Sequence, residues 1–282
     1  MQSFTNFTYF KTAAYSLEAS FYPAKNQVKN KTIIYFHGGG LIWGNRFDLP
    51  DSYIQQFLEA GYHFLTVDYP LAPECTLPEI YHAIQQSILW FSQEAASTLG
   101  IHSTQYFLFG RSAGAYLAFL CGKDKSLPTP QKIISFYGYP RINESFYLQP
   151  SSYYLKFPRF AKELVQAMKQ PIPIVNGTLE TRYGIYIYAR QAGAWLDLLL
   201  PDKTTMQDYS LTDTDLAQLP PTFIAQSNQD QDIPYQVGLQ LQQLIPQNKF
   251  AMVTGLPHDF DKNTEDQQAK KVYLELIDWL DK

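Results

Sequence analysis

The sequence predicts an α/β fold: a mostly parallel central sheet with helices on both faces and a helical lid inserted at about residues 140–215. Three observations carry this reading. Short blocks rich in Ile, Val, Phe and Tyr recur along the chain, segments with helical apolar spacing separate them, and the alternation breaks once, over a long Tyr-rich stretch. A chain of 282 residues lies near the upper limit for one hydrophobic core, so a single domain over 1–282 carrying that insertion fits better than two equal halves.

The elements follow in order. The segment FTYFKTAAYSLEASFYPAK has period-two stretches that predict antiparallel strands at one sheet edge. TIIYF (32–36) is the first buried strand, SYIQQFLEAG (52–61) a helix, and YHFLTV (62–67) the next strand. EIYHAIQQSILWFSQEA (79–95) has the apolar spacing of an amphipathic helix, and QYFLFG (105–110) returns to strand before a helical apolar run. KIISFYG (132–138), TFIAQ (222–226) and KFAMVT (249–254) complete the strands, and EDQQAKKVYLELIDWLDK (265–282) closes the chain as an amphipathic helix. Between the first two of these lies the insertion, with SSYYLKFPRFAKELVQAM and TRYGIYIYARQAGAWLDLLL. Insertions at the carboxyl side of an open α/β sheet cover its ligand crevice, so Tyr153, Tyr154, Tyr183, Tyr186, Tyr188 and Trp195 are candidates to wall a pocket.

Composition narrows the function classes. Hydrophobic residues at 45% and charged residues at 17% describe a folded globular chain, not a disordered one. A net charge of −4 without a Lys/Arg cluster gives no reason to expect a nucleic-acid or anionic-membrane partner. Cys75 and Cys121 are too few for a disulfide framework or a zinc site and are expected to be buried apolar residues. There is no apolar run of the roughly 18 residues that would span a bilayer. The start, MQSFTNFTYFKTAAYS, has no basic stretch leading into an apolar block, so a cytoplasmic location is expected.

The strongest chemical signal is GRSAG (110–114), a G-x-S-x-G pentapeptide between a strand and a helical run. It is the pattern of a nucleophile elbow, in which Ser112 occupies a strained turn and side chains at 110 and 114 would collide with neighbouring backbone. HGGG (37–40) directly follows another strand. Acyl transfer builds an oxyanion that needs bare backbone N–H donors, and glycines let a substrate approach them. Gly38, Gly39 and Gly40 with the Ala113 amide are the candidate donors, Gly39 and Gly40 being favoured as the nearest.

Of five histidines, only His37 and His258 follow strand carboxyl ends. His258 is the candidate base, whereas His37 is expected to brace the glycine loop. Asp230 and Asp232 both follow the strand TFIAQ; spacing favours Asp230 as the acid that orients the imidazole, with Asp232 expected to be a solvated loop residue. Trp43, Arg111, Tyr186 and Trp195 are the candidates for substrate contact. No metal site is expected. With a histidine as base, activity is expected to fall as pH drops through about 6 to 7.

HGGG (37–40), DYPLAPECTLP (68–78), GRSAG (110–114), Asp230 and HDF (258–260), in the order Ser, Asp, His, resemble the α/β-hydrolases of the hormone-sensitive-lipase-like esterase group. The resemblance implies the α/β-hydrolase fold, hydrolysis of small carboxylic esters, loop-shaping roles for Asp68 and Pro73, and no cofactor. Arg111 departs from it, because that position is often Asp in the group. Two rivals use the same residues: an amidase or peptidase with the same triad, and a non-catalytic small-molecule receptor.

Overall fold

Among the described residues, eight strands join one sheet in the order β1-β2-β4-β3-β5-β6-β7-β8. The computed structural model of the chain describes residues 3–282. In chain order the elements are β1 (Thr5–Lys11), β2 (Ser16–Tyr22), β3 (Thr32–Phe36), α1 (Asp51–Glu59), β4 (His63–Val67), α2 (Leu77–Thr98), β5 (Tyr106–Arg111), α3 (Ala113–Lys123) and β6 (Lys132–Phe136). The insertion then carries α4 (Ser145–Leu148), α5 (Lys162–Met168), α6 (Leu179–Ala192), α7 (Trp195–Leu199) and α8 (Asp213–Ala217). It is followed by β7 (Thr222–Ser227), α9 (Tyr235–Leu244), β8 (Asn248–Val253) and α10 (Gln267–Leu280).

The edge hairpin β1–β2 is antiparallel and joins β4 antiparallel, while every pairing from β4 through β8 is parallel. Parallel strands covered on both faces read as unbroken apolar runs, and β3, β4 and β5 are buried throughout. Side chains nevertheless alternate between two cores. Ile34, Phe36, Leu65, Val67 and Leu108 face the side packed by α2, α3 and α9. Ile33, Tyr35, Phe64, Phe107 and Phe109 face α1 and α10, whose Tyr53 and Tyr273 stack at 3.7 Å. Cys75 and Cys121 are buried free thiols.

Strand ends shift by a residue at β7 and β8, which close at Ser227 and Val253, and two other ends bear on the site. β5 continues through Arg111, and β6 stops at Phe136 instead of Gly138. The early end of β6 has a local cause: Tyr137 adopts φ 42°, which no strand residue can hold.

The insertion is stitched to the loop after β3. Gly44 and Gly177 exchange backbone hydrogen bonds of 2.6 and 3.0 Å, and Arg182 on α6 donates from Nε to the Ile42 carbonyl. The same guanidinium forks onto Glu74 at 2.7 and 2.6 Å, with both side chains only 2% exposed. Removing one partner of a buried ion pair leaves an uncompensated charge. Glu74→Ala is therefore expected to lower unfolding stability by about 3–5 kcal/mol, measured by urea denaturation; a loss under about 1 kcal/mol would show that water solvates Arg182 there.

Candidate active site

The turn out of β5 decides where the site lies. Arg111 still pairs with Phe136, and the Ser112 N–H donates to the Phe136 carbonyl at 2.9 Å. The backbone then reverses into α3 at Ser112, with φ 53° and ψ −118°. A non-glycine residue in such a region costs about 1–3 kcal/mol and persists only where its surroundings hold it. Here they do. A Cβ on Gly114 would lie 2.0 Å from the Phe36 carbonyl oxygen, so α3 can seat against β3 only without a side chain there.

His258, on the loop after β8, brings Nε2 to 2.9 Å from Ser112 Oγ. Its Nδ1 is 2.7 Å from Asp230 Oδ2. The side chain of Asp230, on the loop after β7, is fully buried and has its acceptor capacity filled. Oδ2 also accepts from Gln226 Nε2 at 2.8 Å, and Oδ1 accepts from the amides of Asp232 and Ile233 at 2.8 and 2.9 Å. Burial opposes a charged imidazole at His258. The charge and hydrogen bond of Asp230 outweigh it, with help from Asp232 and Asp259, and push the pKa up to about 9.

Asp232 is not the solvated loop residue expected from sequence. It is buried, accepts from Tyr186 Oη at 2.7 Å and lies 3.2 Å from the Arg190 guanidinium. Tyr186 and Arg190 both come from α6. His37 is buried, stacks on Tyr69 at 4.0 Å and directs Nδ1 to the Gly38 carbonyl at 2.7 Å. Burial pulls its pKa down, which suits a neutral brace. His63 is bound to the Ala24 amide, and neither His82 nor His102 lines the cavity at Ser112.

The glycine loop passes beside Ser112. Gly39 has φ +100°, and a Cβ there would meet the Trp43 carbonyl oxygen at 1.9 Å, so the turn admits only glycine. The Gly38 amide is directed to Asp48 Oδ2 at 3.4 Å. The amides of Gly39, Gly40 and Ala113 have no hydrogen-bond partner among the described residues. Gly40 and Ala113 are buried, where unpaired amides are rare.

These groups open into a cavity of about 410 Å³. Trp43, Tyr153, Tyr154, Leu179, Tyr183 and Tyr186 give it an aromatic and apolar wall, while Asp48, Arg111, Gln231, Asp232, Asp259 and Lys262 supply polar atoms. Two expectations need correction. Trp195 does not reach this cavity: it is fully buried, stacks on Tyr147 and donates from Nε1 to the Gly40 carbonyl at 2.9 Å. Tyr188 packs on the core instead of lining the cavity. Arg111 does line it, yet its nitrogens are already bound to Tyr137, Asp261 and Asp48, so it is not free to grip a substrate. Tyr137, whose ring lies 4.6 Å from that of His258, was not marked by the sequence at all.

Residues 33–261 match the alpha/beta hydrolase fold family. The chain belongs to that family. The resemblance drawn from HGGG and GRSAG to hormone-sensitive-lipase-like α/β-hydrolases holds. A Staphylococcus aureus subsp. aureus Mu50 protein of unknown function superposes with a TM-score of 0.89 at 30% identity, covering 98% of both chains. An α/β-hydrolase superfamily protein from Enterococcus faecalis gives 0.82 at 28% identity, covering 99% of both. Carboxyl esterase 2 of Tuber melanosporum shares the fold, with a TM-score of 0.69 at 21% identity over 99% of this chain and 87% of its own. Among curated proteins, the non-reducing polyketide synthase adrD of Penicillium roqueforti is 32% identical over 133 residues, 44% of this chain and 5% of the synthase. Its Penicillium rubens counterpart is 29% identical over 187 residues, 60% of this chain and 8% of the synthase. The α/β-hydrolase chain thus spans only a small part of the curated relatives it matches.

The packing at Gly114 makes a direct expectation. Gly114→Ala forces backbone apart at β3 and should cost about 4 kcal/mol or more, read as a loss of soluble folded protein or a large fall in Tm; a Tm within a few degrees of the parent would contradict the close α3–β3 contact.

Proposed function

We propose that this α/β-hydrolase is a serine carboxylesterase that cleaves small carboxylic esters through an acyl-enzyme on Ser112. The observation that carries the reading is the continuous line from Asp230 Oδ2 through the His258 ring to Ser112 Oγ, at 2.7 and 2.9 Å. In this reading His258 Nε2 takes the Ser112 proton as Oγ attacks the ester carbonyl. Asp230 holds Nδ1–H, fixes the tautomer and stabilises the imidazolium. The unpaired amides of Gly39, Gly40 and Ala113 receive the developing oxyanion. His258 then protonates the leaving alcohol, and water activated by the same imidazole releases the acid.

Because the Gly38 amide is turned toward Asp48, the oxyanion role rests on Gly39, Gly40 and Ala113. The cavity of about 410 Å³ lies near the small end of ligand sites, which supports short acyl chains or acetyl groups. The carboxyl esterase from Tuber melanosporum supports the reading through its shared fold. Among the described residues, no helix is long and apolar enough to cross a membrane.

Ser112→Ala is expected to lower kcat for p-nitrophenyl acetate by on the order of 10⁴-fold or more, while Tm stays within a few degrees of the parent. Retention of a tenth of the parent rate would overturn the assignment. The acid limb of kcat/KM follows from the His258–Asp230 pair. Stabilising the imidazolium keeps the base protonated to higher pH, so the limb should lie above 6.5 and toward 9, higher than the sequence alone suggests. Activity falls as pH drops through that limb, and Asp230→Asn should move it down as well as lower kcat; a parent limb at or below 6.5 would contradict this electrostatic account.

A further inference from the structure

We propose that Arg111 is a positioning residue: from directly before the serine, its guanidinium locks the serine turn, the histidine loop and the glycine loop into one arrangement. The inference deepens the esterase reading and rests on it. Arg111 is buried, and each of its three nitrogens serves a different segment. Nε donates to Tyr137 Oη at 2.6 Å, Nη2 to Asp261 Oδ1 at 2.9 Å, and Nη1 to the Asp48 carbonyl at 3.3 Å.

Each partner in turn holds part of the site. Asp261 lies three residues beyond His258 and is fully buried; its Oδ1 also accepts from Tyr137 Oη at 2.7 Å, and its Oδ2 from Tyr273 Oη at 2.7 Å. Tyr137 sets its ring 4.6 Å from His258 while its backbone is held at φ 42°. Asp48 accepts from the Gly38 amide through Oδ2 and from Tyr35 Oη through Oδ1 at 2.6 Å. The strand-end geometry fixes Ser112, but the other two segments are loops, and a loop needs a tether to hold an imidazole within a few tenths of an ångström of a hydroxyl. A planar guanidinium with divergent N–H groups can hold three loops at once, whereas an ammonium cannot reproduce that fork.

The test separates positioning from substrate contact and from bulk stability. For Arg111→Lys and Tyr137→Phe we expect kcat for p-nitrophenyl acetate to fall about 10- to 100-fold with KM within about threefold of the parent. The rate at which a small fluorophosphonate modifies Ser112 should fall in parallel, since that reaction needs the aligned imidazole but little of the substrate pocket. Tyr137→Phe removes one hydroxyl and keeps the ring, so it remains informative even if the arginine variant folds poorly. A rise in KM with unchanged kcat and labelling rate would return Arg111 to a substrate-binding role and overturn the proposal. A lower Tm with both rates at parental values would reduce it to a stabilising residue, which overturns it equally. If the parent protein neither hydrolyses the ester nor reacts with the fluorophosphonate, the esterase reading itself fails and this inference falls with it.

Discussion

A serine held at φ 53° where a strand meets a helix is the constraint on which the rest of the molecule depends. The turn exists because α3 leaves β5 at once, with its second residue pressed against the Phe36 carbonyl of the neighbouring strand. The same contact brings the start of the glycine loop beside the serine, since that loop begins immediately after Phe36. One steric fact therefore sets both the hydroxyl and the amides that face the same space. The strain is local, and a sheet and helix buried on every side can sustain it.

The insertion after β6 shapes this space and anchors firmly to it. On α6, Arg182, Tyr186 and Arg190 recur every four residues and so share one face. Arg182 fixes the helix to Glu74 and the glycine-loop backbone, and Tyr186 packs its ring on Gly40 and bonds Asp232. Arg190 completes the face with its ion pair to Asp232. Asp232 in turn donates its amide to Asp230. The helix that walls the cavity thus touches the glycine loop on one side and the acid loop on the other. Trp195 adds a fourth tie by bonding the Gly40 carbonyl from behind.

Much of this was legible in the sequence, for physical reasons. Parallel strands covered on both faces are apolar without interruption, so β3 through β7 stood out, and Gly-x-Ser-x-Gly is a steric requirement written in residue types. What stayed hidden depends on direction and on distant partners. Nothing near Trp195 says that its indole turns away from the cavity to meet a carbonyl 155 residues earlier. Asp232 looked like a loop carboxylate because its partners, Tyr186 and Arg190, lie more than forty residues away. Arg111 invited a substrate role by standing next to the serine, while Asp261 and Asp48, which occupy it, carry no motif beyond their neighbourhood to His258 and the glycines. Tyr137 is a β-favouring residue in a backbone conformation that strands exclude, so its propensity pointed the wrong way.

The proposed chemistry is that one hydroxyl, aimed by His258 and Asp230, carries the acyl group between substrate and water. Acid-quenching the protein during turnover of p-nitrophenyl acetate, followed by proteolysis and peptide mass mapping, asks this most directly. The account predicts a single acetyl group on the peptide containing Ser112, formed during turnover and gone once substrate is consumed. Steady turnover with no acetylated peptide at any time, or with the acetyl group on another residue, would contradict it.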